Sequence, residues 1–369
     1  MRGTGIVLVF VLALVGGVGA QQADSGKSAP TPAASVRVCA GGDVTLGVNG
    51  DTITRKGKRV PPRLWPAPDS LLAPIAPLFA DADIVLLNLE GAIGDGPASK
   101  CAKASKTCYG LRMPSSAAPA VRAVNDRAVV VGNIANNHAH DAGDEGFAET
   151  RRRLDSAGVL VTGADSDATI VVTAAGDTVV VLGFAASYPM DVRDLALVRR
   201  YVARAAAIGA RVVVTMHLGA EGPTAQRTGD RSEKFVGEDR GDPVAFARAA
   251  VESGATLVIG HGPHVVRGIS WLDGALVFYS LGNLVTAGPF AMHAPNDRGL
   301  VACADLGADG KVTRAVIRPT RQRSPGRAAP DVTARAIVLA DSLGRLDFPD
   351  SSARMSVEAE LRRPPPPRD

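Results

Sequence analysis

The sequence predicts an α/β fold, in which buried strands alternate with helices. Short Val-rich runs recur along the chain, and stretches rich in Ala, Leu and Arg separate them. Hydrophobic residues make up 46% of the 369 residues and aromatic residues only 4%, so the core must consist mostly of Ala, Val and Leu. A chain of this length can form one large domain or two ordinary ones around a substantial core.

The ends of the chain differ in composition from its middle. Arg2, an apolar run over residues 6–15 and small residues up to Ala20 form the pattern of a secretory signal peptide. We therefore expect a secreted or extracytoplasmic protein; an uncleaved membrane anchor is the alternative, although the run is short for a membrane span. The expected organisation is a signal peptide (1–20), a flexible linker (21–34), one main domain (35–345) and a disordered Pro-rich tail (346–369).

Strands are expected where apolar, mostly β-branched residues stand together, and helices where apolar residues recur with a helical period. The expected strands are 35–40, 84–87, 128–131, 169–172, 178–184, 211–215 and 256–259, with antiparallel β-structure near 274–280, 299–306 and 311–317. The expected helices are 69–79, 116–124, 143–156, 191–207, 243–252 and 334–343.

Five of the buried strands are followed by side chains that bind metals or take part in catalysis. Ligands in open α/β sheets gather outside the carboxyl ends of the strands, so side chains that are distant in the sequence can converge there. Carboxylates, an amide oxygen and imidazoles suit one or two divalent ions of Mn, Zn or Fe, and an acid that can bridge suggests two ions. The residues are Asp43, Glu90, Asn137 with His138, His217, and His261 with His264.

The cysteines fit an exported protein, and the charge distribution argues against a nucleic-acid partner. Cys101 and Cys108 bracket a polar, turn-rich loop, which indicates a local disulfide. Cys39 and Cys303 are either buried thiols or a second bridge. The formal net charge is +4, and the basic residues are scattered rather than clustered as in a nucleic-acid-binding protein.

Six motifs in a fixed order carry a resemblance to a known family. They are G-G-D-V-T-L-G, N-L-E-G-A-I, A-N-N-H-A-H-D-A-G, H-L-G-A-E, G-H-G-P-H-V and Y-S-L-G-N-L-V. Over roughly residues 36–318, the chain resembles the bacterial capsule-synthesis (CapA, poly-γ-glutamate biosynthesis) family, which is similar to the calcineurin-like metallophosphoesterases. The resemblance implies a layered α/β-sandwich of two packed sheets flanked by helices, and a role in capsule or poly-γ-glutamate synthesis or processing.

The resemblance also implies a role for each candidate residue. His138 would stand over the substrate as a general acid or charge stabiliser. Asp141, three residues later, either orients the His138 ring or caps a helix. The implied metal ligands are Asp43, Glu90 (in a position to bridge two ions), Asn137 (through its amide oxygen), His217, His261 and His264.

Three further polar residues lie within these motifs, and a fourth, His293, follows the last of them. Glu221 is either a further acid of the site or part of a solvated loop. Asn283 either helps to shape the site or satisfies a turn. His140 and His293 match no ligand position, and we expect them on the surface.

The chain departs from the usual phosphoesterase pattern in three places. Asp43 lacks the histidine that usually follows two residues later, and Glu90 stands where an aspartate is usual. One extra residue separates His261 from His264. These substitutions belong to the capsule-synthesis family as well, so they favour that family and weaken the claim of phosphatase activity.

Two functions of different classes follow from these observations. The converging ligands indicate an exported, metal-dependent hydrolase that acts on a phosphoester or a related bond. The resemblance also suits a non-catalytic accessory protein that binds an anionic surface polymer, as a partner of a polymer-synthesis complex at the membrane. A structural module with satisfied core histidines is a third interpretation, and the sequence leaves open whether the protein is an enzyme.

Overall fold

Two β-sheets packed face to face form the centre of the protein. The computed structural model describes residues 35–48, 52–53, 59–60, 65–96, 98–100, 109–186, 188–288, 290 and 292–364. The predicted signal peptide, the predicted linker and the predicted Cys101–Cys108 disulfide lie outside these residues. No helix in the described ranges is long and apolar enough to cross a membrane.

The strands are β1 (Val36–Leu46), β2 (Thr52–Ile53), β3 (Arg59–Val60), β4 (Ile84–Leu89), β5 (Ala92–Ile93), β6 (Arg112–Met113), β7 (Val129–Asn133), β8 (Leu160–Thr162), β9 (Thr169–Val172), β10 (Thr178–Ala185), β11 (Val212–His217), β12 (Lys234–Phe235), β13 (Glu238–Asp239), β14 (Leu257–His261), β15 (Ile269–Leu272), β16 (Ala275–Phe278), β17 (Asn283–Ala287), β18 (Arg298–Leu306), β19 (Val312–Arg323), β20 (Arg327–Pro330), β21 (Arg354–Met355) and β22 (Leu361–Arg362). The helices are α1 (Pro68–Leu72), α2 (Ala117–Arg122), α3 (Gly143–Ser156), α4 (Leu195–Ile208), α5 (Pro243–Glu252) and α6 (Arg335–Asp347), with a 3₁₀ helix at Ala76–Phe79.

Both large sheets are mixed, and each has a parallel centre. The first has the strand order β20-β19-β18-β1-β4-β7-β8, and β17 also pairs with β1. The second has the order β15-β16-β14-β11-β10-β9. Strands β17, β1, β4, β7 and β8 run parallel in the first sheet, as do β10, β11, β14 and β16 in the second. The carboxyl ends of these strands therefore bring several polar side chains to one edge of each sheet.

Apolar side chains from both sheets share one core. Val38 and Leu86 from the first sheet lie in the same buried cluster as Val213 and Ile259 from the second. The outer face of the first sheet packs against α1, α2 and α3, and the outer face of the second packs against α4 and α5. This arrangement confirms the predicted α/β-sandwich of two packed sheets flanked by helices.

Capping residues explain where two of the helices begin. The Asp242 side chain accepts hydrogen bonds from the backbone N–H groups of Val244 and Ala245, and Pro243 occupies the first turn of α5. Helix α5 has the predicted bounds. Helix α4 begins at Leu195, later than the predicted residue 191, because Asp194 caps it.

Two predicted features differ from the structure. The predicted disorder after residue 345 is wrong for residues 346–364: α6 continues to Asp347, and β21 pairs with β22. The Trp271 side chain donates a hydrogen bond to the Arg362 carbonyl, which ties this segment to the second sheet. Strand β16, which the sequence predicts within antiparallel β-structure, pairs antiparallel with β15 but also runs parallel to β14.

A disulfide links the two strands at the centre of the first sheet. Cys39 in β1 and Cys303 in β18 are directly opposite each other in the antiparallel register, and their sulfurs are bonded. This pairing resolves the choice between buried thiols and a bridge that the sequence leaves open.

Candidate metal centre

The register of the parallel strands places polar residues side by side at the edge of both sheets. In the first sheet, Asp43 pairs with Asn283 on one side and with Asn88 on the other, and Asn88 pairs with Asn133. In the second sheet, His217 pairs with His261. Two polar rows, one from each sheet, therefore build the site. His217 and His261 were predicted, whereas Asn88 and Asn133 were not.

Asp43 lies inside β1, which continues to Leu46, and not after the end of a strand as predicted. The strand is irregular here, because its register against β17 shifts between Asp43 and Val44. Such a bulge redirects the side chains around it. The fully buried carboxylate lies between two imidazoles: Oδ1 is 3.2 Å from His261 Nδ1, and Oδ2 is 3.0 Å from His264 Nδ1.

Glu90 follows β4 directly and is buried. Its Oε1 lies 3.5 Å from His264 Nε2, 3.8 Å from His217 Nε2 and 3.9 Å from His138 Nε2. Three imidazoles thus surround one carboxylate oxygen that has no hydrogen-bond partner. This position is compatible with the bridging role that the resemblance implies for Glu90.

His264 has an unusual backbone conformation for a residue other than glycine. Its φ angle is +59°, in the left-handed region. Asn283 contacts this residue twice: Asn283 Oδ1 lies 3.1 Å from His264 Nδ1, and Asn283 Nδ2 donates to the His264 carbonyl at 3.2 Å. Asn283 therefore shapes the site, which was one of the two roles left open by the sequence.

His138 and Asp141 form a pair at the rim of the site. His138 Nδ1 lies 2.6 Å from Asp141 Oδ2, and the backbone N–H of Leu111 donates to the same oxygen. Lys100 Nζ is 2.8 Å from the other oxygen, Asp141 Oδ1. Of its two predicted alternatives, Asp141 takes the contact with the His138 ring, since α3 begins at Gly143 and Ala142 precedes it without a side-chain cap.

Three buried asparagines contact one another and, through Asn88, two of the candidate ligands. Asn88 Nδ2 donates to Asp43 Oδ1 at 2.8 Å and lies 3.3 Å from His217 Nδ1. Asn133 and Asn136 both donate to Asn88 Oδ1. An asparagine within an otherwise apolar, buried strand is the one sequence signal that could have identified Asn88, because a buried amide needs partners.

Several buried polar atoms of the site lack a hydrogen-bond partner, and their chemistry fits a divalent cation. They are Glu90 Oε1, His217 Nε2 and His261 Nε2. Asn137 Oδ1, the predicted amide ligand, is also buried without a hydrogen-bond partner. Ligand atoms of Asp43, Glu90 and His264 also lie within 4.8 Å of one another. Buried groups of this kind are costly unless paired, and oxygen and imidazole donors together suit Mn, Zn or Fe.

Burial and the charges of neighbouring groups shift the pKa values of four residues of the site. Burial raises the pKa of the Glu90 carboxyl to about 7, and the charge of Asp43 acts in the same direction. Burial alone would raise the pKa of Asp43, but His261 and His264 hold it well below its usual range. Burial alone would lower the pKa of His264, yet Glu90 and Asp43 hold it well above its usual value. Burial keeps the pKa of His217 well below its usual value.

The remaining histidines lie outside this cluster. His140 stacks on Phe147 and lies 3.1 Å from the exposed Asp144, and His293 Nδ1 lies 3.3 Å from the neighbouring Ala294 carbonyl oxygen. Glu221 does reach the site, since its Oε2 is 3.7 Å from His264 Nε2. Of the two alternatives that the sequence leaves open for Glu221, the structure therefore supports a position at the site and not in a solvated loop.

Comparisons with known proteins show which family this chain resembles in sequence. A family model described as "Bacterial capsule synthesis protein PGA_cap" matches residues 37–287. The PGA biosynthesis protein CapA of Bacillus subtilis (strain 168) is 26% identical over 265 residues, which are 66% of this chain and 61% of that protein. A probable polyglutamine synthesis accessory protein of Mycobacterium tuberculosis (strain ATCC 25618 / H37Rv) is 28% identical over 231 residues, 55% of either chain. The chain therefore spans between half and two thirds of the length of these relatives.

Two solved structures are similar to this chain at low sequence identity. The calcineurin-like phosphoesterase YfkN from Bacillus subtilis has a TM-score of 0.42 and 12% identity, covering 84% of this chain and 98% of that chain. The 5'-nucleotidase precursor from Thermus thermophilus has a TM-score of 0.40 and 14% identity, covering 84% of this chain and 58% of that chain. TM-scores this low support no inference about the chemistry of this site.

Proposed function

The chain belongs to the bacterial capsule synthesis protein family, and on that premise we propose that it is an exported, metal-dependent hydrolase that acts in the synthesis or processing of a capsule polymer. The observation that carries the proposal is the convergence of Asp43, Glu90 and His264 around buried oxygen and nitrogen atoms that lack hydrogen-bond partners. A divalent cation bound among these atoms would satisfy them.

The side chains of the candidate metal centre have two proposed roles, metal binding and proton transfer. Asp43, Glu90, Asn137, His217, His261 and His264 would hold one or two ions of Mn, Zn or Fe. A bound ion supplies Lewis acidity toward a phosphoryl or carbonyl oxygen of the substrate. His138, whose Nδ1 faces Asp141, keeps its Nε2 toward Glu90 and can hold or donate a proton at that atom.

Metal analysis together with a hydrolysis assay tests this proposal. We expect the purified protein to contain a divalent metal and to hydrolyse a generic aryl phosphate. His138→Ala should lower kcat by about 100-fold or more, as expected for loss of a general acid. His140→Ala is the matched control, because His140 is a nearby histidine outside the cluster, and its activity should equal that of the wild type. Absence of both metal and hydrolysis would remove the proposal.

Export is part of the same proposal. The predicted signal peptide supports it, and so does the Cys39–Cys303 disulfide, since structural disulfides persist mainly in oxidising compartments. Expression in the native host should yield an extracytoplasmic protein whose N-terminus, measured by mass spectrometry, lies near Gln21. Deletion of residues 2–20 should retain the protein in the cytoplasm. A full-length chain in the cytoplasmic fraction would contradict export.

A second candidate function is that of a non-catalytic protein binding an anionic surface polymer. Arg298 and Arg321 are directly opposite each other on β18 and β19, and Arg323 and Arg327 are opposite each other on β19 and β20. Like charges in these positions repel, and Asp297 is the carboxylate that contacts the first pair. We call these four arginines the positive strip, and their net positive charge suits a polyanion. The name of the mycobacterial relative, an accessory protein, points the same way.

Binding of soluble poly-γ-glutamate, measured by calorimetry, tests this second function. Arg321→Gln combined with Arg323→Gln should weaken binding, because both side chains are exposed and lie on the strip. Arg314→Gln is the control, since Arg314 lies at the other end of β19 and pairs with Glu360. If the wild type does not bind the polymer, this candidate is excluded.

A further inference from the structure

Two arginine–carboxylate pairs hold the loop between β11 and α5, residues 218–242. One pair joins the loop to the rest of the protein, and the other lies within the loop. In the first pair, Arg267, with a side chain only 1% exposed, contacts both carboxylate oxygens of Glu233, at 3.0 Å and 2.7 Å. Glu233 Oε2 also accepts a hydrogen bond from the backbone N–H of Ala220 at 2.7 Å. This pair therefore fixes the position of the chain immediately before Glu221.

The second pair holds Glu221 itself. The Arg240 side chain is 4% exposed, and its Nη2 lies 2.7 Å from Glu221 Oε1. The Arg240 backbone is held as well, since its N–H donates to the Glu233 carbonyl and its carbonyl accepts from the Gly219 N–H. Glu238 is a weaker partner of Arg240, at 3.6 Å, and its own side chain is 69% exposed.

The two pairs differ in how the carboxylate is used. Both carboxylate oxygens of Glu233 accept hydrogen bonds from Arg267, so this pair has a structural role. Glu221 gives one oxygen to Arg240, and its other oxygen, Oε2, lies 3.7 Å from His264 Nε2. That nitrogen is also 3.5 Å from Glu90 Oε1. The free oxygen of Glu221 therefore faces the candidate metal centre.

The charges around His264 favour a cation. Three carboxylates, those of Asp43, Glu90 and Glu221, lie within 4 Å of its imidazole nitrogens. Of these, Glu221 has a close arginine partner. A divalent ion bound among the carboxylates that surround one ring would stabilise their negative charges.

We propose that Glu221 is a further carboxylate ligand of the metal centre and that Arg240 is the residue that positions it. This inference rests on the proposed metal centre and adds to it a residue from a separate loop. It also assigns a task to the loop: its two buried pairs orient an acid toward His264. The ligand is a divalent cation of the Mn, Zn or Fe class.

Calorimetric titration of metal-free protein with Mn²⁺ tests the proposal without any measurement of activity. Glu221→Gln keeps the shape of the side chain and its contact with Arg240 but removes the charge. It should weaken Mn²⁺ binding by about 10-fold or more. Glu238→Gln is the matched control, because it removes a carboxylate that touches the same arginine but points to solvent, and its affinity should equal that of the wild type.

Two variants of Arg240 test its positioning role. Arg240→Met should weaken Mn²⁺ binding, because Glu221 loses its fixed orientation, whereas Arg240→Lys should restore part of the affinity. Thermal unfolding of each metal-free variant shows whether it is folded. Glu221→Asp provides a second, charge-conserving variant and should bind with an affinity between those of the wild type and Glu221→Gln.

The outcomes separate this inference from the function on which it rests. If the wild type binds Mn²⁺ and folded Glu221→Gln binds it equally well, Glu221 is only the partner of Arg240 and the inference is overturned. If the wild type binds no Mn²⁺, Zn²⁺ or Fe²⁺, the metal centre itself is overturned, and the assignment of Glu221 with it.

Discussion

At the scale of single residues, His264 shows how the site depends on support from neighbouring side chains. A left-handed backbone conformation costs a residue other than glycine about 1–3 kcal/mol. Asn283 offsets part of this cost, because it binds both the ring and the carbonyl of His264. The spacing of His261 and His264 departs from the phosphoesterase pattern by one residue. The left-handed conformation of His264 still directs its ring to Asp43.

Asp81 allows a prediction about pH and stability. The Arg318 guanidinium, with help from Arg37, lowers the pKa of this carboxyl from 3.8 to about 2. A lowered pKa in the folded state means that the stabilisation is complete above about pH 4 and disappears as the pH falls through about 2. The side chain is 44% exposed, so solvent screens the pair and we expect less than about 1 kcal/mol.

Asp81→Asn should therefore lower the free energy of unfolding slightly near neutral pH, and the difference from the wild type should shrink in acid. Urea denaturation at several pH values measures both effects. A double-mutant cycle with Arg318→Met isolates the pair. A difference that grows as the pH falls would contradict the assigned direction of the shift.

Sequence reasoning predicted candidate ligands but not the residues that support them. Glu90, His217 and His261 are recognisable because each ends or follows an apolar strand. Asn88 depends instead on the register of three strands, since it contacts Asp43 in one neighbour and Asn133 in the other. No local pattern encodes that register.

At the scale of elements, close contact between β14 and β16 determines the position of His261. A Cβ atom on Gly260 would lie 2.4 Å from the Tyr279 carbonyl oxygen and 2.6 Å from that of Phe278. Both neighbours are backbone atoms, so the strands would have to separate. Only glycine fits next to His261.

Gly260→Ala should therefore lower the free energy of unfolding by about 2–3 kcal/mol, as overpacking in a core does. Gly209→Ala is the control, because its Cβ would meet only Val180 Cγ2 at an ordinary 3.7 Å. Urea denaturation compares the two. Equal stability of both variants would show that β14 and β16 can move apart at little cost.

Elements with a clear sequence signal at their ends were predicted, and elements without one were missed. Helix α5 begins and ends where the sequence predicts, and Asp242 and Pro243 fix its start. Strand β17 was missed, because it follows a strand of the second sheet closely in sequence and yet pairs with β1 in the first. The β21–β22 pair was missed because its strands are two residues long and precede a proline run.

At the scale of the whole molecule, the disulfide should contribute substantially to stability. Cys39 and Cys303 are 264 residues apart, so their bond restricts the unfolded chain strongly. Cys39→Ala combined with Cys303→Ala should lower the free energy of unfolding by about 2–5 kcal/mol. Thermal unfolding with and without a reductant measures this. The reductant should affect the wild type more than the double variant, and an equal effect on both would contradict the prediction.

The same bond gives the molecule a closed covalent ring. Every candidate ligand from Asp43 to His264, including Glu221, lies on the part of the chain that the bond closes. The β12–β13 hairpin projects from this ring with an exposed tip at Val236. A protease that cuts there opens the ring but releases neither fragment, because the disulfide still joins them. A nicked molecule would keep all its candidate ligands on one covalent framework, and only reduction would separate the pieces.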